Sequence, residues 1–266
     1  MRRVLTARAL SHGAFCEAMI TLPLHTDSRG AGGVPVLFTH SFAGDVSHWS
    51  ATLEHLKHQR RVMAFDFSGH GRSPGAVGTY SITELAKDIG AAADAAQMEA
   101  FVLVGHSMGA AVASEYASSH ADRVKALVLV DAPPAPGSIP PGQLQQLHAA
   151  VARDPFAVIE QFWTQQMLID TRAEVKQKLL AGLRGMTRRA ATELTDAALD
   201  HDARPALLRY AGPKFAIVTA RNDMPLSLHK AVPGFRHVVI RGTGHWIHLD
   251  NPTEFNKALD GFLSTL

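Results

Sequence analysis

Residues 101–109 read FVLVGHSMG, an apolar run that passes without a break into Gly105, His106, Ser107, Met108 and Gly109. The segment that follows, AAVASEYASSH, is helix-forming, so Ser107 is expected at a tight strand-to-helix turn. A bare G-x-S-x-G is weak, since a chain with 21 glycines produces it by chance in about one case in ten. The context is what raises it. Such a turn is strained, so small residues are needed two positions before and after the serine, where backbones come close. The following helix aims free amides and the positive end of its dipole at the same spot, which suits a developing oxyanion.

Outward from this turn, short runs rich in Val, Leu, Ile and Phe recur at 34–39, 61–66, 124–130, 214–219 and 236–240. With 101–104 they read as strands buried on both faces. Between them lie segments of helical period, most plainly 82–97, where Ile82, Leu85, Ala86, Ile89, Ala93 and Ala96 share a face and Ser81 with Glu84 predicts a capping box. Asn251, Pro252 and Glu254 predict the start of a last helix. Strand alternating with helix implies an α/β fold: a mostly parallel central sheet flanked by helices. The alternation lapses at 133–205, where PPAPGSIPPG at 133–142 precedes helical segments with Phe156, Ile159, Phe162, Trp163 and Met167 on one apolar face. The expected division is therefore a core of 1–132 and 206–266 with an inserted helical cap at 133–205.

Composition narrows the function. The chain has 266 residues, 46% of them apolar, enough for a large single core. Its formal charge of +2 lacks the basic concentration that nucleic-acid binding requires. No apolar run reaches membrane-spanning length. Near the start, Arg2, Arg3 and Arg8 are followed by apolar residues interrupted by His12 and Glu17, so no uninterrupted signal-peptide core is read. The single cysteine, Cys16, excludes an internal disulfide and points to a reducing compartment. The expectation is a cytoplasmic protein with no nucleic-acid or membrane partner; oligomeric state is not encoded legibly.

A serine hydroxyl is a poor nucleophile at its free pKa and needs a base oriented by an acid. His245, in RGTGHWIH just past the run 236–240, supplies the base. Asp223, in TARND just past the run 214–219, is taken as the acid, with Asp131 at the end of ALVLVD as its rival. Both lie where an open parallel sheet gathers its ligand site. The 15 histidines include the pairs His55/His58 and His245/His248, but neither Cys pairs nor H-E-x-x-H accompany them, so no metal and no cofactor is expected.

GHSMG, the D-x-x-G-x-G-x-S turn in FDFSGHGRS (65–73), VLFTHSF (36–42) and GTGHWIHLDNPTEF together resemble the α/β-hydrolase fold superfamily, from about residue 30 to the end. The resemblance implies Ser107 as nucleophile, His245 as general base and Asp223 as the acid that fixes its tautomer, with the amides of Phe42 and Met108 as the oxyanion hole. Asp66, in the turn motif, is read as structural. One departure is His40-Ser41, where the family usually has His-Gly. His40, Ser41, Trp49, His106, Phe162, Trp163 and Trp246 are candidates for the walls of the pocket.

The implied activity is hydrolysis of a carboxylic ester of a small to medium, mainly apolar substrate through an acyl-enzyme. Lactone hydrolysis, carbon–carbon bond hydrolysis and perhydrolysis use the same residues, and a small-molecule sensor is a rival of another class. Dehalogenase or epoxide hydrolase chemistry would need an aspartate at position 107.

Overall fold

The computed structural model describes residues 23–135 and 139–266. Cys16, His12, Glu17 and the arginines at 2, 3 and 8 lie outside them, as does part of the Pro/Gly cluster. The apolar runs form the strands Val36–Thr39 (β2), Val62–Phe65 (β3), Phe101–His106 (β4), Val124–Val130 (β5), Lys214–Thr219 (β6) and Phe235–Ile240 (β7). An unanticipated strand, Thr26–Arg29 (β1), precedes them. The sheet runs β1-β3-β2-β4-β5-β6-β7, antiparallel only where β1 meets β3. The sequence TDSR carries no apolar signal, because β1 is an exposed edge that exists to pair the outer backbone of β3. The opposite edge, β7, is largely exposed too, so the reading of 236–240 as buried on both faces does not hold.

Alternation along the strands sorts the core into two layers. Leu37, Met63, Leu103, Leu127 and Leu129 face one side, where Ile82–Ala95 (α2) and Met108–Ser119 (α3) pack. Val36, Phe38, Val62, Val102, Val104 and Val128 face the other, against Ser50–Leu56 (α1) and Pro252–Leu263 (α11). Helix α2 starts as expected, with the Ser81 hydroxyl accepting from the Glu84 amide at 3.1 Å. The capping box is only half built, because the Glu84 carboxylate turns instead to Lys87. Asn251 caps α11 through the same type of bond at 3.2 Å.

Between β5 and β6 the chain forms Pro141–Arg153 (α4), Pro155–Phe162 (α5), a π-helical turn at Trp163–Met167, Ala173–Gly185 (α6), Arg188–Asp200 (α7) and Arg204–Arg209 (α8). Helices α4, α5, α6 and α7 pack mainly on one another, while α8 packs on α3. Two short helices, Leu228–Ala231 (α9) and Ile247–Asp250 (α10), follow β6 and β7.

Candidate active site

Ser107 occupies the turn between β4 and α3 with φ 53° and ψ −120°, a conformation costly for any residue with a Cβ. The glycines on either side permit it. A Cβ on Gly105 would stand 2.4 Å from the Gly109 carbonyl oxygen, and one on Gly109 would stand 2.4 Å from that of His40. The motif is thus a record of three backbone segments in contact. Ser107 is 6% exposed, and its amide donates to the Val130 carbonyl at 3.0 Å, which ties the turn to the end of β5.

Val130 is followed by Asp131, which also has a positive φ, 41°. Its Oδ1 accepts from the Thr219 amide at 2.8 Å and the Thr219 hydroxyl at 3.1 Å. Its Oδ2 accepts from His245 Nδ1 at 2.7 Å, deep in the protein. That bond fixes the His245 tautomer: the proton sits on Nδ1, and Nε2 is an acceptor with no partner among the described residues. The His245 carbonyl accepts from His106 Nε2 at 3.0 Å, and His106 directly precedes Ser107. Asp131, at the end of β5, and His245, in the loop after β7, are therefore paired directly, and the Ser107 turn at the end of β4 is tied to the residues beside them through the Val130 and His245 carbonyls; no hydrogen bond joins the Ser107 hydroxyl to His245 among the described residues.

Asp223, the expected acid, is not in this group. It lies beyond the end of β6, where its Oδ1 accepts from His229 Nε2 at 3.0 Å and Lys230 Nζ at 2.7 Å. Those partners, the lysine first, hold its carboxyl down at about 2. The strand β6 contributes Thr219 as a support for Asp131 instead of contributing the acid itself.

The segment after β2 approaches the turn from the other side. Among the described residues, neither the Phe42 nor the Met108 amide donates to a protein acceptor. Ser41 does not disturb this loop: the positive φ falls on Ala43 (55°), and the buried Ser41 hydroxyl accepts from Trp246 Nε1 at 3.0 Å. His40 is locked as well, donating from Nδ1 to the Ser41 carbonyl at 2.7 Å and accepting at Nε2 from the Phe67 amide at 3.0 Å. Burial pushes His40 down to about 4, so it is neutral. The Asp66 carboxylate accepts from the amides of Val46 and Arg72, a purely structural role.

The helices after β5 brace the base. The Met167 carbonyl, at the end of the π-helical turn, accepts the His245 amide at 3.1 Å. Asp250 accepts from the amides of Arg172 and Gly244 at 3.1 and 3.0 Å. Trp163 meets Phe42 and Trp246 edge-on, with ring centres 6.3 and 5.0 Å away.

Two pocket candidates are misplaced by the sequence reading. Trp49 is fully buried in the lower core, stacked on His248 at 4.1 Å. Phe162 is 50% exposed, turned away from Ile159 and Trp163. His106 is buried behind Ser107, and burial with the nearby His245 and His248 keeps it neutral. His48, His70 and His248, which the sequence did not single out as a group, form the remainder of a neutral imidazole layer under the site. Burial pushes His48 to about 4 and His70 to about 3. An open groove of about 700 Å³ between β7 and α11 contains none of these residues.

A family model described as alpha/beta hydrolase fold matches residues 34–252. Over 248 residues the chain is 30% identical to the dihydrolipoyllysine-residue acetyltransferase component of the acetoin cleaving system of Pseudomonas putida. That match covers 88% of this chain and 64% of the relative, so the chain spans less than two thirds of that protein's length. Two solved structures share the fold closely. One is a thermophilic esterase from Thermogutta terrifontis, with TM-score 0.79, 22% identity and coverage of 91% and 93% of the two chains. The other is Est816, described as an N-acyl homoserine lactone degrading enzyme, with TM-score 0.78, 25% identity and coverage of 90% and 96%.

Proposed function

The chain belongs to the alpha/beta hydrolase fold family, and from that premise we propose that it is a serine hydrolase cleaving a carboxylic ester of a small to medium, mainly apolar substrate. The observation that carries the reading is the buried 2.7 Å bond from His245 to Asp131, which leaves Nε2 free to accept a proton, beside a turn that holds Ser107 at positive φ at the start of α3.

Ser107 Oγ attacks the ester carbonyl carbon while its proton passes to His245 Nε2. Asp131 stabilises the imidazolium and keeps Nδ1 protonated. The amides of Phe42 and Met108 receive the negative charge that develops on the carbonyl oxygen. Collapse returns the proton from Nε2 to the departing alkoxide oxygen. Water, deprotonated by the same nitrogen, then attacks the acyl-enzyme and frees the acid and Ser107. Phe42, Trp163 and Trp246 form an uncharged aromatic wall beside the serine turn, which supports an apolar acyl or alcohol group of limited size.

A second reading, hydrolysis of a lactone, needs the same steps on a cyclic ester and is favoured by the likeness to Est816. Labelling with a fluorophosphonate tests the class: wild type is modified at Ser107, and Ser107→Ala is not. Aryl esters of increasing acyl length, lactones and vinylogous diketones then separate the substrates, with short acyl esters expected fastest. Preference for dodecanoyl esters, or turnover of diketones alone, would overturn the substrate proposal.

A further inference from the structure

Asp223 is left without a role in the site above, and its surroundings are unusual. It stands with His229 and His237 so that one ligand atom from each lies within 4.8 Å of the other two, the one such trio among the described residues. The three come from different elements. Asp223 sits in the turn after β6, His229 in α9 and His237 on the edge strand β7. His229 Nε2 is 3.0 Å and His237 Nε2 4.0 Å from Asp223 Oδ1, and the two imidazole centres are 4.6 Å apart.

We propose that Asp223, His229 and His237 bind a divalent transition-metal ion of the zinc class, with water completing the coordination, at a site separate from Ser107. Two imidazoles and one carboxylate are borderline donors suited to such an ion. Bonds of about 2.0–2.2 Å place tetrahedral donors roughly 3.3–3.5 Å apart, so the trio is close to the required spacing. The adjustment falls on His237, whose side chain is 38% exposed and free to turn on the sheet edge, while that of His229 is 2% exposed and held.

His229 Nε2 donates to Asp223 Oδ1, so binding moves the imidazole proton to Nδ1 and frees Nε2 for the ion. Lys230 Nζ, 2.7 Å from Asp223 Oδ1, is the local rival for the carboxylate. It sits on a flexible, partly exposed stem and moves aside when a doubly charged ion enters. The bound ion would clamp the turn after β6 and helix α9 to β7, the strand that leads into the His245 loop.

The test uses the full chain, freed of metal by chelator and titrated with Zn2+ by calorimetry and with Co2+ by visible absorption. The expected result is one ion per chain, the strong d–d bands of four-coordinate cobalt, and a higher melting temperature with zinc. His237→Gln and Asp223→Asn weaken binding by at least about tenfold. Lys230→Met tightens it, which a merely adhesive surface histidine would not show. His148→Gln, at the separate surface pairing with Asp196 and Asp200, leaves it unchanged. Absence of stoichiometric binding at millimolar zinc would overturn the proposal. So would affinity that ignores both His237→Gln and Lys230→Met, or that disappears in His148→Gln.

Discussion

Replacing Asp131 by asparagine is a near-isosteric change whose consequence follows from the hydrogen-bond directions. The amide must present its oxygen to one side and its NH2 to the other. At the Oδ1 position the neighbour is the Thr219 backbone N–H, 2.8 Å away, which only donates. Placing NH2 there sets donor against donor in a buried site and costs about 1–3 kcal/mol. The oxygen therefore stays with Thr219, and the NH2 takes the Oδ2 position, 2.7 Å from His245 Nδ1. Facing a donor, Nδ1 gives up its proton to become the acceptor, and the proton moves to Nε2. The imidazole then cannot accept from Ser107. In a serine triad that inversion lowers kcat by about 10⁴, equivalent to ~5.5 kcal/mol on the barrier. Asp223→Asn touches His229, Lys230 and His237, none of which belongs to the proposed triad, and is expected to leave turnover within about twofold of wild type.

Both variants are measured with a short-chain aryl ester under saturating substrate, alongside the rate of fluorophosphonate labelling. A denaturant melt shows that each remains folded. The reasoning fails if Asp131→Asn retains a tenth or more of wild-type kcat while folded, or if Asp223→Asn is the more damaged of the two.

Two further outcomes follow from the same geometry. Ser107→Gly and Ser107→Ala both remove the hydroxyl, but alanine keeps a Cβ at φ 53°, so the glycine variant should be the more stable by about 1 kcal/mol, some 2–4 °C in melting temperature; equal melting would show that the turn stores no strain. Acid should destabilise the fold before carboxylates titrate. His40 and His48 at about 4 and His70 at about 3 lie below the unfolded value of 6.5, so the unfolded chain takes up protons first as pH falls. The stability these three provide is complete well above 6.5 and is lost as pH falls through 6.5 toward the folded values of about 4 and 3, the loss amounting to about 2 kcal/mol each by pH 5. Urea midpoints that stay constant from pH 7.5 to 5 would contradict this.

What could be read from the sequence was local. The strand, the serine and the first turn of α3 are contiguous, so FVLVGHSMG carries its geometry within nine residues, and caps such as Asn251 are equally self-contained. Phe162 shows the limit of periodicity. The buried stripe is centred between Ile159 and Trp163, and Phe162 stands roughly 80° from that centre at 100° per residue. The π-helical turn that follows widens the helix there, so a generous face count includes a residue that points to solvent. Trp49, a candidate for the pocket wall, shows the limit of chain proximity. The decisive neighbour was His248, about two hundred residues away, which stacks on it and keeps it in the core.

The choice of acid is the same problem in its sharpest form. Asp131 and Asp223 each follow a buried strand, and those strands, β5 and β6, are adjacent in the sheet. Position at a strand end therefore does not discriminate between them. What discriminates is the phase of the first residues beyond the strand: Asp131 leaves β5 immediately, at positive φ, with its carboxylate turned across to Thr219 at the end of β6. Asp223 leaves β6 only after Asn222 has anchored the turn to the Ala132 carbonyl at 2.8 Å, which directs the next carboxylate to His229 and Lys230. The long-range bond from Asn222 thus helps decide which of two equivalent acids the histidine meets, and a single sequence contains no trace of it.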